Sequence, residues 1–169
     1  KIKNNLYQNI IFRKIEKKDN QQVAQLIRDV FDELNIPKTG TAYEDPYLDL
    51  MFEEYSKPKS VYYVVESEGR IVGCAGIAPL ANEAETFCEL QKMYFLPETR
   101  GKGIGSQMME QCLQSARDFG FEKCYLETMP FMLDAQKLYR KAGFENICSP
   151  MGSTGHTSCP VWMLKDLKV

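Results

Sequence analysis

Val23, Leu26, Ile27, Val30, Phe31 and Leu34 fall at i, i+3, i+4, i+7, i+8 and i+11, a stripe along one face of a helix. Asp19 or Asn20 stands where its N-cap belongs, and Pro37 and Gly40 break it. Ahead of it, Ile10, Ile11, Phe12 and Ile15 read as a strand ending at Lys17-Lys18-Asp19. Asp45-Pro46, a cap followed by a proline at the first helical position, predicts a second helix through Leu48, Met51, Phe52 and Tyr55, stopped before Pro58. Ser60–Glu66 and Arg70–Ala78, joined by Glu68-Gly69, have the pattern of a β-hairpin. Thr86–Leu96 is a further strand, closed by Pro97. A long helix starts at Gly103 and carries Ile104, Met108, Met109, Cys112, Leu113, Ala116 and Phe119 to a stop at Gly120. Lys123–Thr128 is a strand; Pro130 opens a helix with Ala135, Leu138, Tyr139 and Ala142 on one face, ended by Gly143. Phe144–Cys148 and Val161–Leu167 close the chain as strands. The order β-α-α-β-β-β-α-β-α-β-β implies an α/β fold, a mixed sheet with helices on both faces.

Composition narrows the function classes. The 169 residues fit one domain, 1–169, with 44% hydrophobic and 26% charged positions. A net charge of −2, from 21 basic against 23 acidic side chains, leaves no footprint for nucleic acid. No apolar run approaches the ~20 residues of a membrane span. Lys1–Gln8 is polar and Ile10–Phe12 is too short for the apolar core of a leader. The six cysteines are scattered without a C-x-x-C pair and sit in or near apolar segments, where Cys acts as a small hydrophobe. A reducing, cytoplasmic setting is the expectation.

Candidate chemistry concentrates in Phe95-Leu96-Pro97-Glu98-Thr99-Arg100-Gly101-Lys102-Gly103-Ile104-Gly105-Ser106. A strand ends, a short loop turns, and a helix begins among three alternating glycines. The first helical turn offers unpaired N–H groups and the positive end of the macrodipole. Glycines let a phosphate approach the backbone, and Lys102 adds charge, so the segment reads as a pyrophosphate cradle. A Rossmann fingerprint fails because Ser106 stands where its third glycine belongs, and a Walker A loop fails because Lys102 precedes Gly103. A glycine turn without a ligand is the plain alternative.

Arg100-x-x-Gly103-x-Gly105 resembles the acyl-CoA pyrophosphate motif of the GNAT superfamily of N-acetyltransferases, [QR]-x-x-G-x-[GA], at the right strand-to-helix junction. Ala135-x-x-Leu138-Tyr139-x-x-x-Gly143-Phe144 is similar to that superfamily's second signature, and the element order from Ile11 to Leu167 looks like its domain. One departure is Met132, where the second motif often has an Asn that contacts CoA. The resemblance implies a mainly antiparallel central sheet, acetyl-CoA as cosubstrate, and a small-molecule or peptide amine as acceptor. A homodimer stays open. It also implies a CoA site of Met93, Tyr94, Phe95, Arg100, Gly101, Lys102, Gly103, Ile104, Gly105 and Ser106, with a bulge at 93–95 that frees backbone groups for the pantetheine arm.

Acyl transfer to an amine needs a base for the amine, a donor for the carbonyl oxygen and an acid for the leaving thiolate. Glu89 lies 11 residues before Arg100. The catalytic Glu of histone-type members has that same separation, so the resemblance implies a general base. Period 2 puts Glu89, Gln91 and Met93 on one face, with Cys88 on the other, toward the core. A pairing of Glu89 with Lys92, or a solvated edge position, is the alternative. An ordinary glutamate, at ~4.3, is too weak a base unless burial raises it. Tyr139 is implied as the acid, against a plain core tyrosine. His156 sits in the last loop, which in this superfamily faces the acceptor; it reads either as a substrate contact or base, or as a solvated histidine. With Cys159 it is only half a metal site. In this superfamily the two helices after the first strand form one wall of the acceptor cleft, which implies Tyr43 and Tyr47 as contacts and nearby carboxylates suited to a cationic amine; a solvated helix face with a few packing aromatics is the alternative. A non-catalytic acyl-CoA-binding module of the same fold is the second functional reading.

Overall fold

The computed structural model describes residues 9–168, so the polar Lys1–Gln8 segment lies outside it. Eleven principal elements follow one another: β1 (Ile10–Lys14), α1 (Asn20–Leu34), α2 (Met51–Glu54), β2 (Val61–Ser67), β3 (Arg70–Pro79), β4 (Phe87–Phe95), α3 (Ile104–Asp118), β5 (Lys123–Thr128), α4 (Leu133–Lys141), β6 (Glu145–Ile147) and β7 (Val161–Asp166). The strands form one sheet in the order β1-β2-β3-β4-β5-β7-β6. Every neighbouring pair is antiparallel except β4 with β5.

Both faces of the sheet are covered, which explains why β2 is apolar without alternation. Val61, Tyr63 and Val65 pack with α3 residues such as Met108 and Cys112. Tyr62 and Val64 pack on the opposite side with Val23, Ile27 and Phe31 of α1. The stripe read on α1 is the buried one: Val23, Leu26, Ile27, Val30 and Phe31 are all within the core. The β2–β3 turn uses left-handed Glu68 and Gly69, φ 50° and 78°, the geometry that suits a two-residue hairpin. No helix among the described residues is long and apolar enough to cross a membrane.

Four local expectations need correction. The second helix is confined to Met51–Glu54 and does not start at Pro46. Asp45 caps nothing there, because its carboxylate is engaged by Lys92 and His156. Asp19 occupies the N-cap position of α1 without a capping bond; its two oxygens take the Arg13 guanidinium at 2.7 and 3.0 Å. Helix α4 starts at Leu133, three residues after Pro130. The Gln136 amide turns back to the carbonyls of Met129 and Pro130, at 2.8 and 3.2 Å, and holds that lead-in as a turn. Of the cysteines, Cys74, Cys88, Cys112 and Cys124 are buried free thiols, but Cys148 is exposed and Cys159 half-buried.

The feature that makes a site is where β4 leaves β5. Their parallel pairing covers Phe87↔Lys123, Cys88↔Cys124 and Glu89↔Tyr125. Beyond that, β4 stays with β3 and β5 stays with β7 as far as Thr128. The register between β3 and β4 slips between Cys74 and Gly76, and Lys92 opposite this slip has φ 48°. A bulge of this kind bends its strand, and a cleft opens between the second half of β4 and β5.

Candidate active site

The glycine loop read as a cradle lies between β4 and α3. A short turn, Pro97–Thr99, follows β4, and Gly101 and Gly103 take φ of 75° and 79° with nothing within 4 Å of where a Cβ would sit. Gly103 is the N-cap of α3, with no side-chain cap and no acidic residue in the first turn. The helix end therefore presents its amides and positive pole unopposed. Ile104 is buried in the core behind it. Gly105 has a different job: a Cβ there would lie 3.2 Å from Leu138 Cδ2, so this glycine lets α4 pack closely on α3. Arg100 also turns away from the expected phosphate position. Its guanidinium forks onto Glu33 of α1 at 2.7 and 2.8 Å and donates to the Phe95 carbonyl at 2.8 Å, tying the loop down. Lys102 and Ser106 are exposed beside the glycines.

Glu89 marks the last paired position before the strands part. It is only 6% exposed. Gln91 Nε2 donates to its Oε1 at 2.6 Å, and Tyr55 donates to Gln91 Oε1 at 2.5 Å. Burial pushes the carboxyl up to about 7; Gln91 works against this, Glu127 adds to it, and His156 and Lys92 oppose it. That is the rise a neutral-pH base requires. The alternative of an ion pair with Lys92 does not occur, since the Lys92 ammonium bonds Asp45 at 2.5 Å and Tyr47 Oη at 2.9 Å.

The left-handed Lys92 also reverses which face later β4 residues occupy. Cys88 and Leu90 belong to the α3-side core, and Met93 and Phe95 pack there too, whereas Tyr94 packs on the α1 side. Met93 is thus on the face opposite Glu89, not with it. The rings of Tyr94 and Phe31 lie 5.5 Å apart.

Tyr139 on α4 is 7% exposed, with its ring 6.2 Å from Phe144. Burial raises its phenol to about 12. Among the described residues its oxygen has no hydrogen-bond partner, and no fully buried side-chain polar atom is left unpaired.

His156 is not a solvated loop histidine. Its Nε2 lies 3.0 and 3.2 Å from the Asp45 oxygens. Tyr47 joins the same group, its ring 4.5 Å from Lys92 Nζ. Tyr43 does not: it packs on Phe31 at 5.6 Å and under Lys38 at 5.0 Å. Sequence reasoning missed Gln91, Lys92, Asp45 as an ion-pair partner, and Glu127 of β5, whose oxygens accept from Tyr125 at 2.6 Å and Thr154 at 2.7 Å. A lysine inside an apolar strand was the available hint for Lys92.

A mixed sheet split at one parallel junction, with a buried carboxyl at the split and a glycine cradle at the following helix, defines an acetyltransferase-type scaffold. Residues 27–144 match the acetyltransferase (GNAT) family. An N-acetyltransferase of Escherichia coli (strain K12) known as YjgM, of uncharacterised function, is 44% identical over 161 residues, covering 95% of this chain and 96% of its own. The chain belongs to the GNAT acetyltransferase family. Solved structures share the fold. A GNAT acetyltransferase of Staphylococcus aureus Mu50 superposes with a TM-score of 0.82 at 19% identity, over 94% of this chain and 99% of that one. The yncA acetyltransferase of Salmonella typhimurium, solved with its cofactor acetyl-CoA, gives 0.77 at 15% identity, over 95% of each chain.

Proposed function

We propose that residues 1–169 form a single catalytic domain that moves an acetyl group from acetyl-CoA to a primary amine by direct attack, with Glu89 as general base and Tyr139 as general acid. The observation that carries this is the buried Glu89, raised to about 7, at the point where β4 and β5 part. Acetyl-CoA supplies the acetyl group as an activated thioester. Gly101, Lys102, Gly103 and the first amides of α3, at Ile104, Gly105 and Ser106, hold the pyrophosphate, and Arg100 keeps their loop in place through Glu33. Backbone groups of Met93, Tyr94 and Phe95 take the pantetheine arm, and an N–H near Met93 steadies the carbonyl oxygen. Glu89 accepts the proton that the amine nitrogen sheds, and Tyr139 gives its proton to the departing sulfur. Tyr47 and His156 line the acceptor side. The acceptor is a small-molecule or peptide amine, and four buried free thiols support a cytoplasmic setting.

Acetyl-CoA at 100 times its Kd adds about 2.7 kcal/mol, which for a domain of this size raises Tm by about 5–10 °C. NAD at the same concentration leaves Tm unchanged. Thiol release over a library of amines then separates an enzyme from a binding module: a Tm shift without release on any amine supports the module. No shift at millimolar acetyl-CoA argues against both. Tyr139→Phe is expected to lower kcat about 10²-fold or more, as loss of a general acid does, with the acetyl-CoA shift retained; full activity in this variant would remove Tyr139 from the mechanism.

A further inference from the structure

Lys92 is an expensive residue for its position. Its φ of 48° is uncommon for a residue with a side chain, and glycine or asparagine would meet that backbone need alone. Its side chain is 2% exposed and that of Asp45 13% exposed. Burying such an ion pair costs several kcal/mol in desolvation and seldom adds net stability. What it does provide is a fixed arrangement of distant segments. The Lys92 carbonyl accepts from Tyr62 Oη at 2.7 Å, which pins the bulge to β2. The ammonium reaches Asp45 and Tyr47, in the segment before α2. Asp45 in turn holds His156, in the loop between β6 and β7. Against the cost of burial, the His156 hydrogen bond and the Lys92 charge keep Asp45 below the usual carboxylate range. A second seam joins the same two segments, where Ser158 N–H donates to the Gly40 carbonyl at 3.1 Å. Thr154, in that loop, binds Glu127 on the far strand of the cleft.

We propose that Lys92 is a positioning residue for the acceptor: through Asp45 its ammonium clamps both acceptor-side loops to the β4 bulge, so that the wall beside Glu89 is assembled as one unit. This rests on the reading of Glu89 as the base only for its catalytic consequence. The clamp itself has a readout that needs no turnover.

The test compares wild type with Lys92→Met and with Lys92→Met/Asp45→Asn by amide hydrogen exchange, melting and kinetics. In Lys92→Met, protection in residues 41–49 and 150–159 is expected to fall together, by about tenfold or more, as a shared local opening does. The double variant removes both buried charges, so it regains Tm lost by the single one, but the two loops remain unprotected. The acetyl-CoA shift in Tm persists in both, because the cradle is untouched. With glycinamide, n-butylamine and 1,4-diaminobutane as probe amines, KM for the amine is expected to rise about tenfold or more while KM for acetyl-CoA holds. Unchanged protection at 150–159 in Lys92→Met overturns the proposal. So does a double variant that recovers protection together with Tm, or an unchanged amine KM. If Lys92→Met does not fold, the double variant carries the same comparison. Wild type that releases no thiol on any amine would count against the acetyltransferase reading, while the exchange result still decides the clamp.

Discussion

Glu89→Gln is expected to lower kcat/KM for the amine by about 10²–10⁴-fold, the usual cost of losing a general base, and to leave acetyl-CoA affinity unchanged. The glutamine keeps the size and the hydrogen bond with Gln91 but takes no proton. With the carboxyl raised to about 7, wild-type activity is expected to rise with pH through that value as Glu89 ionises, and in the variant that limb should disappear. Folding gives an independent check with the opposite sign. Burial lifts the folded carboxyl to about 7, whereas an unfolded glutamate ionises at about 4.5, so folding favours its protonated form. Below 4.5 the group is neutral in both states and costs nothing; as pH rises to 7 the wild type loses stability that the glutamine variant keeps. At pH 8 the variant should be the more stable protein by on the order of 3 kcal/mol. A variant that is less active and also less stable at pH 8 would mean that Glu89 is a structural carboxylate. Activity within about threefold of wild type, with the acid limb retained, would pass the base role to another group, and His156 would be the next residue to replace.

The sequence made the order of elements readable because strands, helices and their stops are local signals. The α1 stripe, the Glu68-Gly69 turn and the glycines after β4 all occur where periodicity and turn chemistry place them. The arrangement around Asp45, Lys92 and His156 was not readable in the same way, because long-range contacts decide it. Asp45 followed by Pro46 has every local mark of a helix cap, yet its partner lies 111 positions away at His156. Lys92 meets Tyr47 across 45 positions. Its left-handed backbone also defeats the alternation rule, which is why Met93 stands on the face opposite Glu89. Glycines look alike in a sequence, but only the space around each shows that Gly101 and Gly103 have an empty Cβ direction while Gly105 seats Leu138.

That difference selects the variant that tests the cradle. Gly105→Glu would push on Leu138 and shift α4, so a loss of binding there would have two causes. Gly103 offers a cleaner experiment. Its φ is 79° and its Cβ direction is empty, and Asp and Asn are the side chains best tolerated in that backbone region. Both are also favoured at a helix N-cap. Gly103→Asn and Gly103→Asp should therefore fold with Tm close to wild type. They differ at the ligand: Asn adds bulk at the amides, whereas Asp adds bulk and a negative charge at the helix pole that would hold a pyrophosphate. Gly103→Asn is expected to weaken acetyl-CoA binding about tenfold, and Gly103→Asp to bring it below detection, a further loss of at least about 1.4 kcal/mol. Titration calorimetry with acetyl-CoA on the two folded variants reads this directly, and the gap between them should narrow as salt screens the added charge. Equal affinities for Asp and Asn would show that no phosphate sits at Gly103, and wild-type affinity in both would move the cofactor site away from the start of α3.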